Sequence, residues 1–194
     1  MVLVSFEFES KTYTRLLPML ISPDVAHEYA FIDFYNDIQT HDPLGCDFYS
    51  EGIEDFQAYI KSLLDEEQGI NLKPGYVPCS HRWYLDEKSN IVGTLRIRHR
   101  LDSEFHKQEL GHIGFDIAPS YRGMGYAVKM LLSGLDVARQ HGISEVLVTA
   151  SEDNKASQSV IKKSGGMFES KIFSPVFNDV VERYWIKTSE FAGL

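Results

Sequence analysis

Between two apolar stretches, residues 110–118 and 128–138, the chain reads Pro119-Ser120-Tyr121-Arg122-Gly123-Met124-Gly125-Tyr126-Ala127. A β-rich run, a proline, a short basic glycine loop and an apolar-periodic helix follow one another directly. That order specifies a strand–loop–helix unit with the helix start facing the strand end. A helix N-terminus leaves backbone N–H groups unpaired and carries about half a positive charge, so it is a ready anion site. Gly123 and Gly125 lack the side chains that would hold a pyrophosphate off the backbone. Arg122 adds a guanidinium that can grip a phosphate with two prongs. Two other phosphate loops do not fit. A dinucleotide-binding turn wants a third glycine where Val128 stands, and it follows the first strand of its unit, whereas three strands precede this loop. A P-loop wants Gly-Lys-Ser/Thr, which does not follow here. Taken alone, the loop also fits a structural turn with no ligand.

The remaining elements follow from periodicity and breakers. Val2 to Phe8 alternates as a first strand. Pro23-Asp24 opens a helix whose expected apolar face is Val25, Tyr29, Ile32 and Tyr35. Residues 40–52 read as loop. Residues 54–67 read as a helix with Phe56, Tyr59, Ile60, Leu63 and Leu64 on one side, and 69–78 as loop again. Strands are expected at 81–86, 91–101 and 110–118, with a polar hairpin turn at 86–90. A helix over 125–141 ends at Gly142. The apolar strand Val146-Leu147-Val148 leads to a helix capped by Asn154 or Ser157 and stopped by Gly165-Gly166. The last two strands are expected at 168–173 and 180–186. The order is helices first, then β-β-β-α-β-α-β-β. It implies a single domain over 1–194 of α/β (α+β) class with a mixed sheet. A helical part spans 1–80 and the motif-bearing core about 91–187.

Charge narrows the partners. Acidic residues number 28 and basic ones 19, a net charge of −9. Such a chain repels nucleic acid and anionic membranes at long range, so neither is an expected partner. Cys46 and Cys79 form no Cys-x-x-Cys pair and show no metal-ligand spacing with the histidines. They read as reduced thiols, with no metal expected. No secretory leader and no run of ~18 apolar residues is visible, so the expected location is cytoplasmic.

The loop also has a family resemblance. Ile117-x-Pro119-x-x-Arg122-x-x-Gly125-x-Ala127 resembles motif A of the GNAT superfamily of acetyl-CoA-dependent N-acetyltransferases, whose pattern is [RQ]-x-x-G-x-[GA]. The family's next element is a strand, then Asn-x-x-[SA], then a helix ending in Lys-x-Gly. Here Val146-Leu147-Val148, Asn154-Lys155-Ala156-Ser157 and Lys163-Ser164-Gly165 stand at that spacing. The resemblance covers about 91–187. It is nearest to uncharacterised members carrying Ile97-Arg98-His99-Arg100-Leu101 and Gly111-His112-Ile113-Gly114.

What the resemblance implies is a mostly antiparallel central sheet flanked by helices, with acetyl-CoA as co-substrate. The pyrophosphate would lie on Arg122, Gly123, Met124, Gly125, Tyr126 and Ala127. The pantetheine arm would pair with the backbone of Phe115, Asp116 and Ile117, and Asn154 and Ser157 would flank it. A homodimer is compatible with the family. The reaction would be acetyl transfer to a primary amine of a small molecule or a peptide. The alternative is an acyl-CoA-binding sensor without transfer. Many members carry a tyrosine four residues before the Lys-x-Gly glycine as proton donor, and Ile161 occupies that place. Ser157 matches the branch that uses a serine beside the thiol.

Amine attack needs a neutral nucleophile. A lysine-like ammonium with pKa ~10.4 leaves roughly one molecule in a thousand neutral at pH 7. A positioned base is therefore expected, and two residues qualify. Glu109 lies at the offset of a catalytic glutamate in several family members. His112 stands where another branch has a glutamate, and its intrinsic pKa suits the task. In a regular strand the two would face opposite ways. Arg96, Arg98 and Arg100 alternate along one expected strand and share a face. They suit either acidic neighbours or an anionic group on the acceptor. A hairpin between 91–101 and 110–118 would bring Arg98 to His112 and keep that imidazole neutral.

Overall fold

The computed structural model describes residues 3–8, 11–16 and 19–189. Leu3–Phe8 (β1) pairs antiparallel with Lys11–Leu16 (β2) as a separate hairpin. Val2, in the expected first strand, lies outside the described residues. The main sheet has seven strands. They are Met19–Ile21 (β3), Cys79–Leu85 (β4), Ile91–Arg98 (β5), Ile113–Ile117 (β6), Glu145–Ser151 (β7), Met167–Ser174 (β8) and Asp179–Lys187 (β9), in the order β3-β4-β5-β6-β7-β9-β8. Every neighbouring pair is antiparallel except β6–β7. The parallel pair needs a crossover, and helix Tyr126–Gln140 (α4) supplies it. The fold is thus a mixed, mostly antiparallel sheet with helices packed against it, as expected. The N-terminal part is less helical than its pattern suggests. It holds β1, β2 and β3 besides helices Glu28–His41 (α1), Glu51–Glu54 (α2) and Phe56–Glu67 (α3).

Two cores flank the sheet. α4 lays Met130, Leu131, Leu135 and Ala138 against Val92, Leu95 and Ile97 of β5 and against Val146 and Val148 of β7. On another side, α1 and α3 bury Phe31, Phe34, Ile38, Phe56, Tyr59 and Ile60 against Trp83 and Ile91. Phe31 and Trp83 stack with ring centroids 5.6 Å apart. The α3 face is as expected except for Leu64, which is exposed. The expected face of α1 holds only in part, since Tyr35 packs against this core. Val25 and Tyr29 are exposed (52% and 86%), and the buried set Phe31, Phe34, Ile38 is rotated from it. Helix α1 starts at Glu28 rather than Val25, because Asp24 caps a short 3-10 turn first. Periodicity over 25–35 therefore straddled two elements.

The expected strand 110–118 starts late. Ser103 Oγ accepts the amide N–H of His106, and the chain coils into a π-helical turn, His106–Leu110. Gly111, with φ of +65°, then turns it into β6. A Cβ there would sit 2.5 Å from the Leu147 carbonyl oxygen, so only glycine fits. β5 likewise ends at Arg98, leaving Arg100 outside the strand to pair with Asp102 at 2.7 Å. Asn154, not Ser157, caps helix Lys155–Lys163 (α5) by accepting the Ser157 amide. No helix of the described residues is long and apolar enough to cross a membrane.

Candidate active site

β6 and β7 share a single register pair, Ile113 with Val148, reinforced by the His112 amide donating to the Leu147 carbonyl at 2.7 Å. Beyond it the strands part. Phe115, Asp116 and Ile117 pair with β5 on one side only, so the backbone on the β7 side is left open. Backbone groups in such a gap need partners, and an extended amide-bearing ligand can supply them.

At the end of β6 the chain passes through a 3-10 turn, Pro119–Tyr121, to the glycine loop. Gly123 and Gly125 have φ of +77° and +81°, and nothing lies within 4 Å of a Cβ placed on either. The loop is therefore open to a ligand. Gly125 is the N-cap of α4 and offers no side chain to the first amides, which stay available. The N-terminal helices hold this loop in place. Asp37 accepts from both the Ser120 amide (2.9 Å) and its hydroxyl (2.8 Å). Arg122 donates to the Ile117 carbonyl at 3.1 Å and to Asp42 at 2.6 Å. Its guanidinium is thus engaged rather than free as the sequence implies. This ion pair is half exposed and worth only ~0–1 kcal/mol, so a phosphate can displace it.

On the sheet face covered by α2 and α3 lies a cleft of about 1190 Å³. Phe115, Asp116, Asn154, Ser157 and Glu109 line it, whereas Arg122–Ala127 and His112 do not. The splayed strands thus separate the phosphate loop from a roomy pocket. Asp116 is the hub of its floor. It accepts from Tyr49 Oη (2.7 Å) and pairs with Arg96 (2.8 Å), and Tyr49 also bonds Thr94 Oγ1. Tyr49 sits in the segment read as loop. The segment forms a 3-10 turn, Pro43–Tyr49, which has no strong period to betray it.

The two base candidates part company here. Glu109 is 9% exposed, lines the cleft and accepts a hydrogen bond from Ser174 Oγ. The π-turn, not a strand bulge, frees it from facing opposite His112. His112 uses Nδ1 to accept the Leu147 amide at 2.9 Å. Its neutral ring therefore carries the proton on Nε2 and has no lone pair for an amine. Burial first, then the Arg98 charge, pushes its pKa down to about 4. Arg98 does reach it, through an amide donated to the His112 carbonyl at 2.8 Å. The imidazole is neutral as expected, yet it is committed to the β6–β7 junction.

His99 shares that electrostatic state. It stacks on His141 with centroids 3.7 Å apart, and both rings bond Ser80 Oγ. Burial and then the facing His141 bring its pKa to about 4. A histidine with a depressed folded pKa takes up its proton first in the unfolded chain, so stability falls with acid. The expected result is a melting temperature that is flat above pH 6.5 and falls progressively towards pH 4. Melting curves on His112→Asn and His99→Asn check it, since each should flatten part of that slope. His112→Asn should also keep kcat within about tenfold, as a positioned base is worth ~10²–10⁴.

Cys79 and His81, two apart on β4, lie with Glu66 so that their ligand atoms fall within 4.8 Å. No Cys/His spacing in the sequence marks this group, because Glu66 joins it from the end of α3 only when that helix packs on β4. Burial raises the Cys79 thiol to about 12, against the opposing Arg98 charge, and His81 Nε2 lies 3.1 Å from a Glu66 carboxylate oxygen. Ile161, at the family's tyrosine position, is fully buried in the α4 core.

No curated protein sequence matches this chain. Among solved structures, the ribosomal-protein-S5-alanine acetyltransferase of Vibrio fischeri superposes with a TM-score of 0.66 at 15% identity, covering 97% of this chain and 98% of that one. RimJ of Mycobacterium smegmatis, solved with CoA-disulfide, gives 0.67 at 16% identity, covering 92% and 88%. The dodecameric spermidine N-acetyltransferase of Vibrio cholerae gives 0.56 at 14% identity, covering 91% and 96%. Such identities establish the fold. Residues 21–167 match the acetyltransferase (GNAT) domain family. The split β6–β7 pair, the glycine loop at α4 and this match together place the chain in the GNAT acetyltransferase family.

Proposed function

We propose that the protein moves an acetyl group from acetyl-CoA to a primary amine by direct attack, with Glu109 as general base. The observation that carries this is Glu109 itself, a buried carboxylate lining the cleft beside the open edge of β6. In this reading the pyrophosphate lies on Arg122, Gly123, Met124, Gly125, Tyr126 and Ala127, against the first amides of α4. The pantetheine amides take the open backbone of Phe115, Asp116 and Ile117. Asn154 and Ser157, which also line the cleft, flank the arm. Solved relatives that bind CoA, such as RimJ, support a CoA ligand. Relatives that act on a ribosomal protein or on spermidine support an amine acceptor.

The chemistry is a simple displacement. Glu109 takes a proton from the acceptor ammonium, and the nitrogen lone pair attacks the thioester carbon. A backbone N–H of β6 holds the oxyanion. The tetrahedral adduct then collapses: the C–S bond breaks as the carbonyl re-forms, the leaving sulfur takes the second proton from the nitrogen and departs as the thiol, and Glu109 returns its own proton to solvent. Ser157 Oγ hydrogen-bonds the departing sulfur in place of the missing tyrosine. Calorimetry with acetyl-CoA tests the reading, with NAD as the comparison. Acetyl-CoA should bind and NAD should not. Folded wild-type protein that ignores acetyl-CoA would remove the proposal and leave the loop as a structural turn.

A further inference from the structure

The cationic side chains lining the cleft are matched by carboxylates with one exception. Arg82 is held by Glu67 at 2.6 Å, Arg96 by Asp116 and Lys73 by Glu51, each at 2.8 Å. Arg98 has no carboxylate within ion-pair distance among the described residues. Its guanidinium makes one long hydrogen bond there, 3.3 Å to the Gly111 carbonyl. A half-buried guanidinium loses hydration, and its fork of donors matches an oxyanion.

A second group points the same way. His106 is 6% exposed, lines the same cleft, and its Nδ1 has no hydrogen-bond partner. Buried polar atoms are normally satisfied, so an orphan of this kind marks a place for a ligand atom. Gly111 joins the two, its amide donating to the His106 carbonyl at 2.8 Å and its carbonyl accepting from the Arg98 guanidinium. His106 opens the π-turn that presents Glu109 three residues later. Glu109 in turn is a cleft carboxylate that holds no cation among the described residues.

We propose that Arg98 and His106 form the anion-binding half of the acceptor site. The acceptor is then a zwitterion, an amine with a carboxylate a few bonds from the nitrogen. Its amine lies at Glu109 and its carboxylate at Arg98 and His106. This rests on the acetyl-transfer reading above. A carboxylate suits the site better than a dianionic phosphate. Glu66 and Asp179 line the same cleft, and one guanidinium with one imidazole balances a single negative charge.

The test uses matched pairs, leucine with leucinamide and phenylalanine with phenylalaninamide, plus O-phosphoethanolamine. kcat/KM is read by thiol release from acetyl-CoA for wild type, Arg98→Gln and Arg98→Lys. The free acids should be favoured at least tenfold over the amides. The preference should vanish in Arg98→Gln, mainly through KM, and return in part in Arg98→Lys. Acetyl-CoA affinity and melting temperature of the variants show that fold and cofactor site persist. The amide's amine is the easier of the two to deprotonate, so basicity cannot produce a preference for the acid. A second arm needs no transfer. N-acetylleucine should raise the melting temperature of wild type but not of Arg98→Gln, whereas N-acetylleucinamide should raise neither. Equal rates for acid and amide, a preference that survives Arg98→Gln, or turnover of O-phosphoethanolamine above every amino acid would overturn the carboxylate assignment and leave acetyl transfer standing. Acetyl-CoA binding without thiol release from any amine would instead count against transfer. The N-acetylleucine arm would then decide the anion site, absence of stabilisation overturning it.

Discussion

Gly125→Glu is expected to abolish measurable acetyl-CoA binding while the protein stays folded. At φ of +81° a side chain is strained by ~1–2 kcal/mol. Nothing lies within 4 Å of the new Cβ, so no clash adds to that strain. A carboxylate at the start of α4 is favourable to the empty helix, which offsets part of the strain. Against a pyrophosphate the same charge is repulsive. Two like charges ~4 Å apart at an effective dielectric of ~20 repel by ~4 kcal/mol, close to a thousandfold in affinity. Gly125→Ala carries the strain without the charge and should lose far less. Calorimetry on the three proteins separates the two effects. Equal affinity in all three would mean that the ligand does not touch this loop.

Glu109→Gln is expected to lower kcat by ~10²–10⁴, the range for a positioned base. The amide oxygen can still accept from Ser174 Oγ, so the π-turn keeps its anchor. Acetyl-CoA affinity should not change, because Glu109 lies across the split strands from the phosphate loop. An unchanged melting temperature beside the lost turnover would separate removal of the base from mere loosening of the turn. Turnover within a few-fold of wild type would assign the proton to a bound water or to another cleft residue.

Much of the fold was legible in the sequence because one segment carried strong, local signals. Pro119 to Ala127 combines a strand stop, two glycines and an apolar helix, and each is decided by neighbours in sequence. Val146–Val148, Asn154 and Gly165 were similarly readable, since caps and stops act over three or four residues. Failures occurred where distant contacts decide. The α1 face depends on Phe31 meeting Trp83, 52 residues away, and short 3-10 turns blur its period. Glu109 and His112 looked equivalent as strand residues. Ser103, Gly111 and the Leu147 backbone set them apart by coiling one and engaging the other. Asp37, Asp42 and Tyr49 support the site from a half of the chain that carried no site motif. Their roles arise only when α1 and the Pro43–Tyr49 turn pack onto β6 and its loop. Arg98 was visible as one of three arginines. Its distinction is that Asp116 and Asp102 take the other two, a fact of packing.

The most direct test of acetyl transfer is thiol release from acetyl-CoA by wild-type protein across a panel of primary amines, with the acetylated product weighed by mass spectrometry. Release should require an amine, match the acetylated product one for one, and fall away in Glu109→Gln. Acetyl-CoA that binds at the loop yet yields neither thiol nor acetylated amine would contradict transfer and leave a protein that senses the cofactor without using it.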